Sequence, residues 1–522
     1  MRKIRNFLFI MCDQLRADHL SCYGHPHLHT PAIDALAARG VQFDNAFVQS
    51  GVCGPSRMSF YTGRYMSSHR ATWNRVPLPI DEWTLGDYLE GIGHDLVLFG
   101  KTHWLPPAPG PAGVPLPQGR AGRQGGFVEL ARHDGHHAEP DGPYARWLRS
   151  QGYDSPDPWT DYTISTVDAA GVVHNGWNMR NVHLPARVRE EHSETAYTVS
   201  QAIDYIRARE HQPWSMHLSL VKPHWPYVAP SPYHAMYGVE QCLAPVRSTQ
   251  EREHAHSAYR AYMDHPESRN FARDEVWRRV RPAYQGLVRQ VDDHLGRLWA
   301  ELQALGRWED TLIVFTADHG DYLGDHWLGE KELFHDCVQR VPLIVHDPCE
   351  QADATRGSRS RELVEAIDVV PTALQGLGAA LPGHRIEGRS LLDLTRGLPT
   401  PAPREAVYSE LDFSYRQARL ELGLAPDRCQ ATMVRGARWK YVDWMGLPPQ
   451  LFDLQDDPRE LRDLGRDPGY EHVRRDMREL QHAWLRGLRR RTTVTLDEVE
   501  RKTANHRRAG VHYGLWDEAL DP

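Results

Sequence analysis

Apolar runs and helical patterns alternate along the first two thirds of the chain. Short apolar runs predict buried strands at residues 7–11, 95–99, 214–220, 311–316 and 341–346. Apolar residues recur every three or four positions between Leu287 and Leu305, which predicts a long helix, and residues 193–209 predict another. Strands that are apolar throughout are typical of a parallel sheet buried on both faces. We therefore expect an α/β fold with a large, mostly parallel sheet sandwiched by helices.

Turn and cap residues separate these elements. Thr30 is predicted to cap a helix that starts at Pro31 and ends before Gly40. Residues 104–126 are rich in Pro and Gly, which indicates a loop or a lid over a site. The polar segment 133–137 contains three histidines. Metal binding is one interpretation of that segment, but its glycine and polar neighbours favour a solvated histidine cluster.

The pattern changes in the last quarter of the chain. Residues 407–411 and 431–444 predict strands without intervening helices. An amphipathic helix follows, marked by Val473, Met477, Leu480, Trp484 and Leu488. We therefore expect a catalytic α/β domain over residues 1–400, a smaller C-terminal α+β domain over 401–491 and a tail over 492–522.

Composition narrows the class of protein. Of 522 residues, 40% are apolar and 25% charged, which is typical of soluble globular proteins. A net charge of −8 with mixed signs argues against a nucleic-acid or membrane partner. The seven cysteines are scattered and form no C-x-x-C pair, which indicates a reducing compartment. No apolar run is long enough for a signal peptide or a membrane span, so we predict a cytoplasmic protein.

Polar side chains follow two of the predicted strands. Asp13 and Gln14 come directly after the first strand, and Asp318 and His319 follow the strand at 311–316. Ligands of an open α/β sheet bind beyond the carboxyl ends of its strands, so these side chains converge if the two strands are neighbours. Two carboxylates, an amide oxygen and an imidazole can hold a divalent cation. For either pair alone, a helix cap is an equally good interpretation.

A cysteine motif adds a candidate nucleophile. Cys53 begins the segment CGPSR, and the segment YTGR follows at residues 61–64. C-x-P-x-R alone is equally consistent with a buried structural cysteine. The chain also contains, in order, CDQLRADHLSCYGH, CGPSRMSFYTGR, GKTH, PHWPY, TADHGDYLGDH, EK and RVPLIV. This order resembles the sulfatase branch of the alkaline phosphatase superfamily, over roughly residues 5–400.

The resemblance implies a modified nucleophile and a metal ion. In that family a maturation enzyme oxidises the motif cysteine to formylglycine, whose hydrate attacks the ester and then expels sulfate by C–O cleavage. The implied metal ligands are Asp13, Gln14, Asp318, His319 and the formylglycine made from Cys53. Gln14 and His319 depart from many arylsulfatases and are similar to the ligands of phosphonate monoester hydrolases. Mn²⁺ and Ca²⁺ therefore remain alternatives, since imidazole is a softer ligand than carboxylate.

The same resemblance assigns roles around the nucleophile. Arg57 would orient the nucleophile and pair with a metal-bound carboxylate. Lys101, His103, His224 and Lys331 would surround the departing group, where cations neutralise charge and an acid protonates the alkoxide. Either Lys331 or His224 would be that acid, and His103 would act on the diol when the hemiacetal collapses.

The substrate class stays open between two types of ester. Sulfate monoesters, phosphonate monoesters and phosphodiesters are all monoanions, and Asn74 matches a substrate-contacting position of the phosphonate hydrolase group. Lys101 and His103 match the sulfatase pattern G-K-x-H, whereas similar phosphonate hydrolases carry neutral hydroxyl residues there. We therefore predict hydrolysis of small-molecule sulfate monoesters. Phosphonate monoester or phosphodiester hydrolysis is the alternative, and an anion-binding protein without catalysis is a third. The phosphonate hydrolase group also implies a homo-oligomer, a dimer or tetramer, with the tail exchanged between subunits.

Overall fold

The computed structural model describes residues 3–104, 125–209, 211–399 and 402–503, together with residues 510 and 516. Its strands are β1 Asn6–Asp13, β2 Val41–Phe47, β3 Leu96–Gly100, β4 Phe127–Arg132, β5 Ser165–Val167, β6 Val173–Asn175, β7 Ser215–Pro223, β8 Thr311–Ala317, β9 Arg340–His346, β10 Ser358–Glu365, β11 Ala406–Asp412, β12 Gln430–Gly436, β13 Trp439–Trp444 and β14 Gln450–Asp453. Its α-helices are α1 Pro31–Arg39, α2 Cys53–Thr62, α3 Met66–His69, α4 Leu85–Glu90, α5 Pro143–Ser150, α6 Glu194–Ala208, α7 Thr249–Glu253, α8 Ser257–Met263, α9 Pro266–Phe271, α10 Asp274–Ala304, α11 Asp336–Gln339, α12 Val369–Gly376, α13 Leu392–Thr395, α14 Gln417–Glu421, α15 Glu471–Gly487 and α16 Leu496–Lys502.

Eight strands form the main sheet, in the order β10-β2-β9-β8-β1-β7-β3-β4. All neighbouring pairs are parallel except that β9 runs antiparallel to both β8 and β2. The chain leaves β8 and enters β9 at the same edge, because the segment between them contains no helix long enough to cross the sheet. The prediction of a large, mostly parallel α/β sheet is confirmed.

Helices bury the faces of this sheet. Every residue of β1, β7 and β8 is buried, as their apolar runs predict. The predicted long helix is α10, which spans 31 residues. It packs against α1, α6 and β7, and its buried side chains include Leu287, Val291, Leu295 and Leu298. The apolar core therefore lies between the sheet and its helical layers, and the polar site residues lie at the edge where the strands end.

The start of α1 corrects one prediction. Thr30 precedes the helix as expected, but its side chain makes no cap bond to it. The Thr30 hydroxyl instead bonds Ser21, through the Ser21 amide at 3.1 Å and the Ser21 hydroxyl at 2.8 Å. The Asp292 carboxylate on α10 accepts the amides of Ala32 and Ile33 at 3.2 and 2.8 Å. A side chain remote in sequence thus caps the helix, so a local pattern could not identify it.

The C-terminal part forms a second, antiparallel sheet. Its strands follow the order β11-β12-β13-β14, and the predicted strand region at 431–444 is a hairpin of β12 and β13. Helix α15 packs on this sheet through Val473 and Met477, which share a core with Val434 and Tyr441. The smaller C-terminal α+β domain is confirmed, while its predicted boundary at residue 400 stays a prediction.

Some sequence predictions fall mainly outside the described residues. Of the proposed loop or lid at 104–126, the structure describes residues 104, 125 and 126. Of the tail, it describes α16 and its flanks, and Trp516, which is 95% exposed. No helix in the described ranges is both long enough and apolar enough to cross a membrane.

Candidate active site

Four parallel strands end side by side at one edge of the main sheet, in the order β8-β1-β7-β3. Cys12 of β1 lies beside Ala317 of β8, and Gly100 of β3 lies beside Ser219 of β7. The residues at or just beyond the four strand ends include Asp318, Asp13, His224 and Lys101. The strands named in the sequence prediction are therefore neighbours, and their polar ends converge.

Cys53 is the first residue of α2 and is 1% exposed. Its Sγ lies 3.1 Å from Nε2 of His319 and 3.1 Å from Nζ of Lys331. Oδ1 of Asp13 is 3.9 Å from the same sulfur. Burial and the nearby Asp13 raise the pKa of the Cys53 thiol to about 11. The candidate nucleophile thus lies at a helix N-terminus among the predicted ligands and cations.

Tight packing holds the start of α2 in place. Oδ1 of Asn74 accepts the amide of Gly54 at 2.8 Å, and a Cβ at residue 54 would lie only 2.8 Å from that oxygen. The Ser56 hydroxyl donates to the Asp318 carbonyl at 2.5 Å. Gly54 therefore permits the close approach of Asn74, which bonds the residue next to Cys53. Its predicted contact with substrate stays a prediction.

The arrangement offers a compact set of metal-ligand atoms. Donor atoms within 4.8 Å of one another belong to Asp13, Cys53, Asp318 and His319, and all four residues are buried. Burial alone would raise the pKa of Asp13, but the neighbouring cations, Lys101 foremost, hold it well below its usual range. Two carboxylates, an imidazole and the residue at position 53 form a donor set that suits a divalent cation.

Arg57 forms hydrogen bonds with the carboxylates of both Asp13 and Asp318. One turn along α2 from Cys53, its Nε donates to Asp318 at 2.8 Å and its Nη2 to Asp13 at 3.1 Å. Nη1 donates to the Lys101 carbonyl at 2.9 Å. The guanidinium is fully buried, so its charge-assisted bonds fix both carboxylates relative to α2. Arg57 thus pairs with both carboxylates, and their role as metal ligands stays a prediction.

Gln14 directs its amide oxygen toward the site. Its φ is +66°, unusual for a residue with a side chain. Its Nε2 donates to Asp321 at 2.5 Å and to the Tyr227 hydroxyl at 3.3 Å. Its Oε1 accepts from Lys331 at 3.1 Å. Asp321 and Tyr227 were not foreseen from the sequence; they orient the amide so that an oxygen is presented to the site.

Lys331 and His224 form a hydrogen-bonded pair next to Cys53. Nζ of Lys331 lies 3.1 Å from Nε2 of His224, and Nδ1 of His224 lies 2.6 Å from the Trp225 carbonyl. Because a carbonyl only accepts, Nδ1 carries the hydrogen and Nε2 accepts from the lysine. Burial, followed by the charge of Lys331, holds the pKa of His224 well below its usual range. Burial acts to lower the pKa of Lys331, but Cys53 and other neighbours raise it.

Lys101 and His103 follow the end of β3, and Lys101 contacts a candidate metal ligand. Nζ of Lys101 is 2.5 Å from Oδ2 of Asp13, and the lysine is fully buried. His103 has a φ of +58°, and its ring centroid lies 4.7 Å from that of His136. Burial and the charge of Lys101 hold the pKa of His103 well below its usual range.

The predicted solvated histidine cluster was wrong for most of its members. His133 is 2% exposed and bonds Glu194 at 2.6 Å, and His136 packs against His103, while His137 alone is exposed. Glu194 and Glu139 raise the pKa of His133 to about 9, although burial opposes this. The polar, glycine-containing sequence carries no burial signal, because the partners lie on other elements.

Comparison with known proteins identifies the family. The sulfatase family model matches residues 5–379, and a model for the C-terminal region of N-sulphoglucosamine sulphohydrolase matches residues 324–485. The first match spans most of the chain. The protein therefore belongs to the sulfatase family, within the alkaline phosphatase superfamily, as its motifs predicted.

Named relatives include both sulfatases and phosphonate hydrolases. The multifunctional alkaline phosphatase superfamily protein PehA of Trinickia caryophylli is 34% identical, covering 92% of this chain and 95% of that protein. An arylsulfatase of Clostridium perfringens is 25% identical, and the match covers 88% of this chain and 90% of the arylsulfatase. The solved phosphonate monoester hydrolase of Silicibacter pomeroyi matches with a TM-score of 0.80 and 31% identity, covering 92% of this chain and 94% of that one.

Proposed function

We propose that the protein hydrolyses sulfate monoesters, with a formylglycine made from Cys53 as the nucleophile. The observation that carries this proposal is the surroundings of Cys53, whose sulfur lies 3.1 Å from both Lys331 and His319 at the start of α2. A structural cysteine would not require two ionisable groups at that distance. Membership of the sulfatase family supports hydrolysis of an ester bond.

The buried donor set supports one bound divalent cation. Asp13, Gln14, Asp318, His319 and the residue at 53 would hold it, and we favour Mn²⁺ over Ca²⁺ because one ligand is an imidazole. Such a cation lowers the pKa of the nucleophile and neutralises charge on the ester. Formylglycine supplies a hydrated aldehyde, which allows sulfate to leave by C–O cleavage. A maturation enzyme is therefore a required partner.

The chain's own residues orient the ester and supply the proton. Arg57 holds the two carboxylates in register, and Lys101 and Lys331 supply positive charge to the non-bridging oxygens. His224 accepts from Lys331, so the proton lies on the lysine. We therefore assign Lys331 as the acid that protonates the leaving alkoxide, with His224 orienting it. His103 remains the proposed group for collapse of the hemiacetal.

Phosphonate monoester or phosphodiester hydrolysis is the second candidate. It is favoured by the similarity to the phosphonate monoester hydrolase of Silicibacter pomeroyi and to PehA. Lys101 favours sulfate, because a cation beside the transferred group suits an ester whose leaving oxygen gains charge, and His103, whose pKa is held well below its usual range, adds a proton-transfer group. Both candidates use the same nucleophile and metal set, so promiscuity between them follows from shared charge.

A kinetic panel combined with mass spectrometry tests the proposal. We expect the Cys53 peptide to carry formylglycine when the maturation enzyme is co-expressed, with activity proportional to the converted fraction. An aryl sulfate should be hydrolysed faster than a phosphonate monoester, a phosphodiester or a phosphate monoester, with Mn²⁺ at least as effective as Ca²⁺.

Cys53→Ala should lose at least ~10⁴-fold in kcat while remaining folded. Cys242→Ala removes a thiol from outside the site and serves as the control. Full activity of unmodified protein would refute the mechanism.

Metal analysis tests the ligand set separately. Asp318→Ala should lose the bound cation and the activity together, because this carboxylate supplies much of the neutralising charge. Asp274→Ala, which changes an exposed acid at the start of α10, is the control. Unchanged metal occupancy in Asp318→Ala would refute the assignment.

Two further proposals concern the state of the protein in the cell. We propose a cytoplasmic location, supported by the scattered cysteines, and a homo-oligomer joined through the tail after Thr492. The tail's apolar residues include Val511, Tyr513, Leu515 and Trp516. Light scattering should give a dimer or tetramer mass for the full chain and a smaller mass after truncation at residue 492. A monomer mass for the full chain would contradict the second proposal.

A further inference from the structure

Asp134 lies directly beyond the end of β4, beside the end of β3. It is 6% exposed. One carboxylate oxygen accepts two successive backbone amides, from Thr102 at 3.1 Å and from His103 at 3.4 Å. The other oxygen accepts from Nη2 of Arg132 at 2.9 Å. A buried carboxylate thus binds the backbone of the segment that carries two of the proposed active-site residues.

The segment that it binds needs such support. His103 has a φ of +58°, which is costly for a side chain of this size unless surrounding contacts hold it. Its Nδ1 is buried and has no hydrogen-bond partner among the described residues. The ring rests against His136, whose own Nδ1 bonds the Asp134 carbonyl at 2.9 Å. The backbone and the ring of His103 are therefore both positioned from the Asp134–His136 turn.

The turn itself is firmly packed. Gly135 has a φ of +63°, and a Cβ there would lie 2.7 Å from Cγ1 of Val221 on β7. The amide of His133 donates to the Gly100 carbonyl at 3.1 Å. The turn is thus fixed against β7 and β3, so it can serve as a rigid reference for the segment it binds.

We propose that Asp134 is a positioning residue for hydrolysis: its carboxylate holds the Thr102–His103 backbone so that the His103 imidazole faces the reacting ester. The inference rests on the proposed function of that side chain. Asp134 acts through His103 and is not assigned a contact with the substrate.

A kinetic cycle tests the proposal on protein matched for formylglycine content. Asp134→Ala should lower kcat ~10- to 100-fold with less than a ~3-fold change in KM, the scale of a displaced catalytic group. Asp134→Asn keeps an acceptor oxygen and should recover most of the lost turnover. The double variant Asp134→Ala/His103→Ala should be no more than ~3-fold slower than His103→Ala alone, because one effect acts through the other. Multiplicative losses, or an Asn variant as slow as the Ala variant, would overturn the proposal.

A matched control variant and an NMR measurement test the positioning role of Asp134 without relying on enzyme turnover. Asp168 also accepts two turn amides, those of Ala170 and Val172 at 2.9 Å, so Asp168→Ala controls for the loss of a turn carboxylate. The His103 imidazole resonance, identified by its absence in His103→Gln, should shift in Asp134→Ala and not in Asp168→Ala. An unmoved resonance would overturn the positioning role. If no sulfate ester is hydrolysed but the resonance shifts, the proposed function fails and the positioning role stands.

Discussion

Two buried lysines in this structure have opposite surroundings. Lys440 on β13 is fully buried, with Nζ 2.5 Å from carboxylate oxygens of both Asp336 and Glu460 and 2.9 Å from the Phe334 carbonyl. Lys331 is 6% exposed. Its Nζ lies 3.1 Å from each of three groups that are not carboxylates, those of Gln14, Cys53 and His224.

The difference separates a structural charge, that of Lys440, from the charge of Lys331, for which we propose a catalytic role. Removing an ammonium group from water is costly unless a nearby anion compensates. The two acids lie in ion-pair contact with Lys440, and the contact with Asp336 joins the C-terminal sheet to the segment before β9. Among the described residues, Lys331 has no carboxylate within ion-pair distance, so its charge is available to an incoming anion. A lysine's partners therefore indicate its role better than its burial does.

We expect the largest effect from substitution of Lys440, the lysine that is paired with two acids. Lys440→Met should lower the free energy of unfolding by ~3–5 kcal/mol, because Asp336 and Glu460 lose their buried counter-ion. Urea unfolding followed by tryptophan fluorescence measures this loss, while kcat of the folded protein should change less than ~3-fold. The triple variant Lys440→Met/Asp336→Asn/Glu460→Gln, which removes all three charges, should recover most of the stability. If the free energy of unfolding of Lys440→Met equalled that of the wild type, Lys440 would not be a structural charge and the contrast with Lys331 would fail.

The same substitution at the other lysine should affect turnover instead. Lys331→Met should lower kcat by ~10²–10³-fold, the scale of losing one positioned charge in an active site. Its unfolding free energy should stay within ~1 kcal/mol of wild type or rise, since no buried carboxylate loses a partner. Steady-state kinetics and urea unfolding on one preparation test both statements. A fall in stability as large as that of Lys440→Met would show that Lys331 is structural.

Substitution of Lys101 and His103 together tests whether these two residues select the substrate. Lys101→Tyr/His103→Thr should lower sulfate ester turnover by at least ~100-fold, since it removes a positioned charge and a proton-transfer group. Phosphonate and phosphodiester hydrolysis should fall less. Equal losses on all esters would assign both residues to the shared nucleophile, and a wild-type protein much faster on phosphonates would reverse the order of the two proposed functions.

Glu410 is a buried acid that has no ion-pair partner among the described residues, so it extends the comparison of buried charges from lysines to a carboxyl group. We expect its substitution to have the smallest effect of the four. Burial raises the pKa of Glu410 to about 7, although Ser67 donates to it, and no ion pair reaches it among the described residues. Its contribution to stability is full below about pH 4.5, the unfolded value, and is lost as the pH rises through about 7. Glu410→Gln should therefore flatten the decline in unfolding free energy between these pH values, by ~1–3 kcal/mol. An unchanged pH profile would contradict this assignment.

The sequence predicted those parts of the molecule that depend on local pattern. Apolar runs located the strands β1, β3, β7, β8 and β9, and the polar residues after β1 and β8 indicated where they meet. Asp134, Asp321 and Lys440 were missed because their partners lie on segments far away in the sequence. For the same reason, Asp292 could not be identified as the cap of α1. Local signals find the elements and the motifs, whereas buried polar partners become visible only when the fold brings them together.

The termini of β8, β1, β7 and β3 also have an evolutionary consequence. Each strand contributes a side chain of the proposed site at or beyond its last residue, outside most of the hydrogen-bonded ladder and the apolar core. These side chains are buried and three of them are ion-paired, so a substitution that removes one charge leaves its partner buried and uncompensated. We therefore expect the chemistry at this edge of the sheet to change through paired exchanges that conserve buried charge, while the strands beneath it stay the same.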